Sequence, residues 1–231
     1  MIFGRLRAVL AMLIISSLAA KTFPSEVYPN PQKDIYRCGQ RGRTSWLCDP
    51  DQVLSPAEAD DVNTALKSLR EDTECPCSDV ALCSNHSSHG YSVAVAVMSF
   101  IPTTRAQMIS AASYANYLRE HEWLYGNCQD DVVIVVSKQE KQVASSIGDT
   151  AAEKLTVRVM ADIVSDTRDL FQNEHFSQGL LEIIRRMRAA FQNDYVITPS
   201  FPIWTVVQMA MAALFVLSCF FSMYICRKLY S

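Results

Sequence analysis

Residues 92–98 of this 231-residue chain have the sequence SVAVAVM, and residues 131–136 have the sequence DVVIVV. Valines alternate with alanines in the first stretch, and the second is an unbroken apolar run of the kind found in strands buried on both faces. The segment between the two stretches has helical periodicity around Met108. A strand, a helix and a strand in this order predict a βαβ unit with parallel strands and a right-handed crossover.

Helix-start boxes, in which Ser or Thr precedes Glu or Gln by three residues, occur three times. The side chains of such a box satisfy the free amide groups of a first helical turn. The boxes are Ser55–Glu58, Thr104–Gln107 and Thr150–Glu153. Apolar residues follow each box at helical spacing, as Leu66, Ala112 and Ile163 illustrate. A fourth helix is indicated by Leu180, Ile184, Met187 and Phe191.

A short polar loop follows the second strand. Residues 137–142 return the chain into residues 142–148, which predicts a β-hairpin. Helices distributed between these strands favour an α/β fold class, a small αβα sandwich with helices on both faces of the sheet. We assign this sandwich to residues 55–192, preceded by an N-terminal segment over residues 21–54 that contains a disulfide.

The N-terminus has the pattern of a secretory signal peptide. Arg5 and Arg7 precede an apolar run from Ala8 to Leu18, followed by small residues. The run is too short to span a bilayer, so we expect residues 1–20 to be removed during export. The alternative is an uncleaved signal anchor.

The C-terminal region predicts a transmembrane helix. Residues 203–225 carry no charge and are long enough to cross about 30 Å of hydrocarbon lipid. Arg227 and Lys228 follow at once, and the positive-inside rule therefore places residues 226–231 in the cytoplasm. We expect a type I single-pass protein of the plasma membrane, with residues 193–202 as a stem. A cleaved lipid-anchor signal is the alternative, and the two terminal basic residues argue against it.

The acidic residues are confined to the predicted extracellular part. All 24 acidic residues lie between Glu26 and Asp194, and residues 22–200 carry 16 basic residues, for a net charge of −8. A nucleic-acid-binding protein needs a basic face, so this class is excluded.

Six cysteines fall in the exported part of the chain, an even number that predicts three disulfides in an oxidising compartment. They are Cys38, Cys48, Cys75, Cys77, Cys83 and Cys128. Cys38 and Cys48 flank a short polar loop and form the natural first pair. The other four allow three pairings, of which one contains a Cys75–Cys77 bond that normal disulfide geometry disfavours.

The loop after Cys83 contains two further motifs. Cys83, His86 and His89 have the spacing of zinc ligands, but oxidation outside the cell competes with that hypothesis. Asn85 begins an N-glycosylation sequon, which predicts a glycan if the loop faces solvent.

Carboxylates are expected to meet at one end of the sheet. If the hairpin pairs Val136 with Val143, Asp130 lies opposite Asp149 and Asp131 lies next to them. Glu153 follows one turn into the next helix. Like charges held together favour a cation, and hard oxygen ligands suit calcium, so these four residues are a calcium candidate. The alternative is that they cap a helix and solvate loop ends.

The sequence contains no complete catalytic set, and we expect no enzymatic activity. A G-x-S-x-G elbow and a Gly-rich phosphate loop are both missing. Asp49-Pro50-Asp51 has the D-x-D form of an aspartyl phosphatase, but it follows Trp46-Leu47-Cys48 and not a long buried strand. We interpret it as a turn beside a disulfide.

Taken in order, several short motifs over residues 38–192 resemble a known family. They are Cys38 through Cys48-Asp49-Pro50-Asp51, Leu54-Ser55, Trp123 with Gly126, Ile147-Gly148, and Phe176 with Gly179-Leu180. Together with the predicted signal peptide and membrane span, they are similar to the modulator of levamisole receptor group, whose extracellular part is a TPM domain.

The resemblance implies an auxiliary, non-pore subunit that associates with pentameric acetylcholine-gated channels and raises their response. It also implies a synaptic, postsynaptic location. Distant TPM relatives have acid phosphatase activity or bind calcium, so a membrane-tethered calcium-binding or phosphatase-like domain is the alternative function.

Overall fold

The computed structural model describes residues 28–39, 42–83, 90–104 and 107–197, and the residues 207, 208, 210–212, 214–219, 223 and 225. Two compact units are present, residues 1–195 and residues 196–231. The predicted signal peptide and the sequon at Asn85 lie outside the described residues.

The first unit contains six strands and five α-helices among its described residues. The strands are β1 (Leu47–Cys48), β2 (Ser92–Met98), β3 (Thr103–Thr104), β4 (Gln107–Met108), β5 (Asp131–Ser137) and β6 (Gln142–Ile147). The helices are α1 (Pro56–Asp72), α2 (Ala111–Tyr117), α3 (Asp149–Ala152), α4 (Val157–Gln172) and α5 (Phe176–Phe191). A 3₁₀ turn covers Val80–Leu82, and a π-helical segment, Leu118–Trp123, continues α2.

Four strands form the main sheet in the order β1-β2-β5-β6. β1, β2 and β5 are parallel, and β6 is antiparallel to β5. The predicted βαβ unit and hairpin are therefore confirmed. The hairpin register is also the expected one, because Val136 pairs with Val143.

Helices cover both faces of the sheet, as the αβα prediction requires. The valines of β2 pack with α1, α4 and α5 in one core, whereas its alanines face α2 in a second core. The small alanines leave room in that second core for the large rings of Tyr28, Tyr114 and Trp123, which are all buried. The alternation of valine and alanine thus assigns each face of β2 to a different set of neighbours.

The predicted helix start at Thr104–Gln107 is wrong. Thr103–Thr104 and Gln107–Met108 pair as a small antiparallel hairpin, so Met108 is in a strand and not in a helix. The helix begins at Ala111 because Ser110 caps it, accepting the amide of Ser113 at 3.1 Å.

The predicted continuous helix from Thr150 is divided into two. Thr150 lies inside the short helix α3, whose N-cap is Gly148, and it donates its hydroxyl to the carbonyl of Cys128 at 2.5 Å. The four-residue α3 ends at Ala152, and α4 begins after Thr156, whose hydroxyl accepts the amide of Val159 at 3.2 Å.

The box at Ser55 is confirmed as a complete capping box. Ser55 accepts the amide of Glu58, and the Glu58 carboxylate accepts the amide of Ser55. The last predicted helix is also confirmed as α5.

The N-terminal segment is part of the first unit, which we call the sheet domain. Its residues Leu47–Cys48 add the short edge strand β1, which the sequence did not indicate because two residues show no periodicity. Tyr28 is buried, and its hydroxyl donates toward the carbonyls of Cys48 at 3.0 Å and Val97 at 2.5 Å. These bonds fasten the segment to β1 and β2.

The second unit contributes helical residues between positions 207 and 225. Within the described part of the chain, no helix combines the length and apolar character needed to cross a membrane. The span predicted over residues 203–225 includes residues outside that part, and it stays a prediction.

Candidate functional site at the acidic end of the sheet

The predicted carboxylates lie at one end of the main sheet, where β2 and β5 begin and β6 ends. We call this the acidic end. Asp131 opens β5, and Asp130 directly precedes it. The amide of Gly148 donates to the carbonyl of Asp131 at 2.9 Å, which continues the hairpin register by one pair and brings Asp149 to the same end of the sheet. The register argument therefore placed these segments correctly.

A buried arginine, Arg119, occupies the centre of this end of the sheet. Its side chain comes from the π-helical segment after α2 and is 8% exposed. It donates from Nε to the Ser146 hydroxyl at 2.8 Å and from Nη1 to the Gln129 side chain at 2.9 Å. Nη1 also lies 3.4 Å from Oδ1 of Asp131, and Nη2 lies 2.8 Å from Oε1 of Glu120. All three guanidinium nitrogens have partners.

The pairing with Arg119 governs the charge of Asp131. Burial raises the pKa of this carboxyl above its ordinary value, because a charged form is costly away from water. The nearby Arg119 guanidinium opposes the rise, and the neighbouring Asp130 adds to it. Asp131 is thus a buried acid whose ionised form depends on Arg119.

A second arginine, Arg70, lies near Asp130. Asp130 is buried and accepts the amide of Cys128 at 3.4 Å. Arg70 donates to the Ser92 hydroxyl at 2.5 Å and lies over the ring of Trp46, 4.8 Å from its centroid. Burial lowers the pKa of Arg70, and the charge of Asp130 opposes that change.

The other two calcium candidates, Asp149 and Glu153, are exposed. Among the described residues, the groups of three close ligand atoms are Cys75, Cys77 and Cys83, and Cys77, Cys128 and Asp130. Neither group contains more than one of the four predicted calcium ligands. The guanidinium groups of Arg119 and Arg70 supply positive charge that the sequence argument assigned to an ion. Calcium binding at this end stays a prediction.

Arg119 is the site residue that the sequence argument missed. Its signal in the sequence is weak. It precedes Trp123 by four residues, so the two lie on one side of a helical turn, and Trp123 is a buried residue type. A charged residue on an apolar helical face indicates a buried partner of opposite charge.

Three disulfides lie in the domain. Cys38–Cys48 is confirmed, and the remaining four cysteines pair as Cys75–Cys83 and Cys77–Cys128. Because all six are oxidised, they carry no thiolate for zinc in this structure, and the two histidines of that hypothesis lie outside the described residues.

The Asp49-Pro50-Asp51 motif forms a turn directly after β1, as predicted. Asp49 is buried, and its carboxylate accepts the amides of Val53 at 3.0 Å and Leu54 at 2.8 Å. Burial raises the pKa of Asp49, whereas these two hydrogen bonds lower it. Asp51 accepts the amide of Ser99 at 2.7 Å. Both carboxylates therefore stabilise the backbone of the loops that they contact.

The fold of the first unit is similar to that of solved structures, one of them with a TM-score above 0.5. The N-terminal domain of a protein from P. gingivalis matches with a TM-score of 0.51 and 16% identity, over 73% of this chain and 94% of that one. The BA42 protein of Bizionia argentinensis matches with a TM-score of 0.47 and 13% identity, over 63% and 86% of the two chains. The first of these likenesses supports the α/β fold and nothing further.

Among curated proteins, none matches this sequence. A family model does match. It is described as modulator of levamisole receptor-1, and it covers residues 23–141, from before Tyr28 to the residue that precedes β6. More than half of the sequence is therefore matched, including the Cys38–Cys48 loop, Arg119 and Asp131, and the chain belongs to the modulator of levamisole receptor-1 family.

Proposed function

We propose that this protein is an auxiliary, non-pore subunit of acetylcholine-gated channels of the levamisole-sensitive type and that it raises their response. The observation that carries the proposal is the family match over residues 23–141, because the family is described as a modulator of the levamisole receptor. The matched region lies within the sheet domain and not in the C-terminal unit.

The predicted topology supports an extracellular site of action. A signal peptide over residues 1–20 and a span over residues 203–225 would place the sheet domain outside the plasma membrane, beside the agonist-binding part of a channel. Three disulfides in the domain suit that oxidising side.

The candidate carboxylates at the two ends of the sheet are engaged in structural contacts. Asp131 is paired with Arg119, and the D-x-D carboxylates of Asp49 and Asp51 accept loop amides. These groups stabilise the fold and are already engaged, whereas a general acid or nucleophile needs a free position beside its substrate. We therefore propose a modulator without catalytic activity.

The direct test is channel current with and without the chain. An acetylcholine-gated channel of the levamisole-sensitive type is expressed in oocytes, and current is recorded over a range of agonist concentrations. We expect a larger current or a shift to lower agonist concentration when the chain is present, together with co-purification of the channel. A matched control replaces residues 203–225 by an unrelated membrane helix, which separates the contribution of the span from that of the sheet domain.

Two results would contradict the proposal. One is unchanged current across several such channels with no co-purification. The other is turnover of a phosphomonoester by the purified chain that Asp49→Asn abolishes, which would favour the phosphatase-like alternative. A calcium-binding domain without channel contact would give neither current change nor turnover.

A further inference from the structure

One edge of the main sheet is open among the residues that the structure describes. β6 is the last strand in the order β1-β2-β5-β6, and in this part of the chain it pairs with β5 alone. At the opposite edge β1 contains two residues and presents little main chain. β6 contains six residues, so the two edges differ in their capacity to pair with a further strand.

The register identifies which main-chain groups of β6 face outward. Gly148 donates to Asp131, so the hydrogen-bonded pairs of the hairpin include positions 146 and 144 of β6. The amides and carbonyls of Val143, Ser145 and Ile147 therefore point away from β5. None of the hydrogen bonds found among the described residues uses these groups.

The edge lacks the features that usually prevent strand addition. Residues 142–147 contain no proline and no charged residue, and their pairing with β5 continues without a bulge. Natural sheets block edges with charges, prolines, bulges or a covering segment. The open edge of β6 carries none of the first three.

A cleft of about 510 Å³ lies against the first half of this edge. Its floor is β6 itself, and its two walls come from the helices on the two faces of the sheet. One wall is the start of α2, with the small residues Ser110, Ala111 and Ala112. The other wall is the second half of α4, where Val164, Arg168 and Phe171 line the cleft. An extended chain that pairs with β6 would place its side chains alternately toward these two walls.

Three charged residues line the cleft, and they differ in their partners. Lys141 lies 3.6 Å from the carboxylate of Glu174, and Glu140 accepts a hydrogen bond from Ser137. Arg168 is exposed and has no ion pair or hydrogen bond among the residues that the structure describes. The unpaired charge at this edge is therefore positive, in a domain whose net charge is −8.

We propose that the β6 edge binds an extended segment of a partner protein by strand addition, with a carboxylate of that segment paired to Arg168. The outward amides and carbonyls of Val143 and Ser145 select an extended backbone. The small wall of α2 accepts side chains on one face of the segment, and Val164, Phe171 and Arg168 select apolar and acidic side chains on the other. A second copy of this domain is disfavoured because both copies carry a net charge of −8. The proposal is independent of the channel assignment.

The test uses the full chain purified in detergent and a synthetic probe. The probe is a capped heptapeptide of alternating threonine and valine with one central glutamate. We expect saturable binding, and we expect slower amide hydrogen exchange at Val143 and Ser145 but not at Ala144 and Ser146, which are already bonded to β5. Methylating the amide nitrogens on one edge of the probe should weaken binding by about tenfold or more, because it removes the donors to β6.

Charge reversal tests the role of Arg168. Arg168→Glu should weaken binding of the glutamate probe by about tenfold and should favour binding of a probe in which lysine replaces the glutamate. The matched control is Arg158→Glu, an equal charge change at an exposed position near the start of α4, which should leave both probes unaffected.

Three outcomes would overturn the proposal. The first is the absence of binding up to about 1 mM probe, and the second is equal binding of the methylated probe. The third is a dimer of the full chain that Ser145→Pro dissociates, which would show that a second copy occupies the edge.

Discussion

The Nη1 atom of Arg119 lies 3.4 Å from Oδ1 of Asp131, with the two side chains 8% and 4% exposed. This pair joins the helical segment after α2 to the start of β5. The Coulomb attraction of such a pair offsets the cost of removing two charges from water only while both partners are present. The pair is therefore the most sensitive electrostatic element of the acidic end.

We expect Arg119→Met to destabilise the protein by about 3 to 5 kcal/mol near neutral pH, because it leaves the buried Asp131 carboxylate unpaired. The measurement is urea unfolding of the full chain in detergent. Arg43→Met is the matched control. Arg43 lies 2.7 Å from Asp60 with side chains 63% and 43% exposed, so its loss should cost less than about 1 kcal/mol.

The loss of stability in Arg119→Met should depend on pH. Burial raises the pKa of Asp131 above 3.8, and Arg119 limits that rise. A carboxyl with a raised pKa in the folded state adds stability when it is protonated, and this contribution is lost as the pH rises through the folded pKa. Removing Arg119 raises that pKa further. The deficit of the variant should therefore be largest near neutral pH and shrink as the pH falls toward 3.8, and a pH-independent deficit would contradict the assignment.

The central strands were predictable because their signals depend on local sequence. Residues 93–98 and 132–136 are apolar throughout, and such runs are typical of strands that are buried on both faces. The helix boxes were less reliable. Ser55 caps a helix, but Thr150 lies inside α3 and donates its hydroxyl to the carbonyl of Cys128, 22 residues away. A capping-box pattern thus marks a helix start only where tertiary contacts leave its first residue just outside the helix.

The candidate site was predictable in position and not in composition. The hairpin register located Asp130, Asp131 and Asp149 at one end of the sheet. The register carried no information about Arg119. This residue bonds to Asp131 and Ser146, which are 12 and 27 residues away in the sequence. In the sequence, a cluster of carboxylates is equally consistent with compensation by an arginine and with compensation by a metal ion. Only tertiary packing distinguishes the two.

Gly148 should not tolerate a side chain. Its φ of −71° is ordinary, so the restriction is one of space. A Cβ atom there would lie 2.3 Å from the carbonyl oxygen of Gln129 and 2.9 Å from Oδ1 of Asp131. We expect Gly148→Ala to lower the free energy of unfolding by about 1 to 3 kcal/mol in urea titrations. Ser145→Ala, in the strand that ends just before Gly148, should change it by less than about 0.5 kcal/mol, and similar effects for both would show that the backbone relaxes at Gly148.

Calcium should have a small effect on stability. Asp131 is compensated by Arg119, so Asp149 and Glu153 are the exposed carboxylates left for an ion. Such a site resembles weak extracellular ones with millimolar dissociation constants. At about 1 mM calcium we expect the free energy of unfolding to rise by less than roughly 0.5 kcal/mol, and Asp149→Asn with Glu153→Gln should abolish this gain. A gain of several kcal/mol in calorimetry, reversed by chelator, would show that the ion displaces the arginines.

The three disulfides should contribute unequally to stability. Cys77–Cys128 joins residues 51 apart, whereas Cys75–Cys83 joins residues 8 apart. Loop-closure entropy then predicts a loss of about 4 kcal/mol for removing the first and about 2.5 kcal/mol for the second. The comparison needs double variants, Cys77→Ser with Cys128→Ser against Cys75→Ser with Cys83→Ser. The sulfur atoms of Cys75, Cys77 and Cys83 lie within 4.8 Å of one another, so a single variant would leave a thiol able to exchange with the neighbouring bond. Thermal unfolding gives the ranking, and mass spectrometry of digested protein confirms that the remaining pairs are native. An equal loss in both double variants would show that native packing around the bonds, and not the length of the closed loop, sets their contribution.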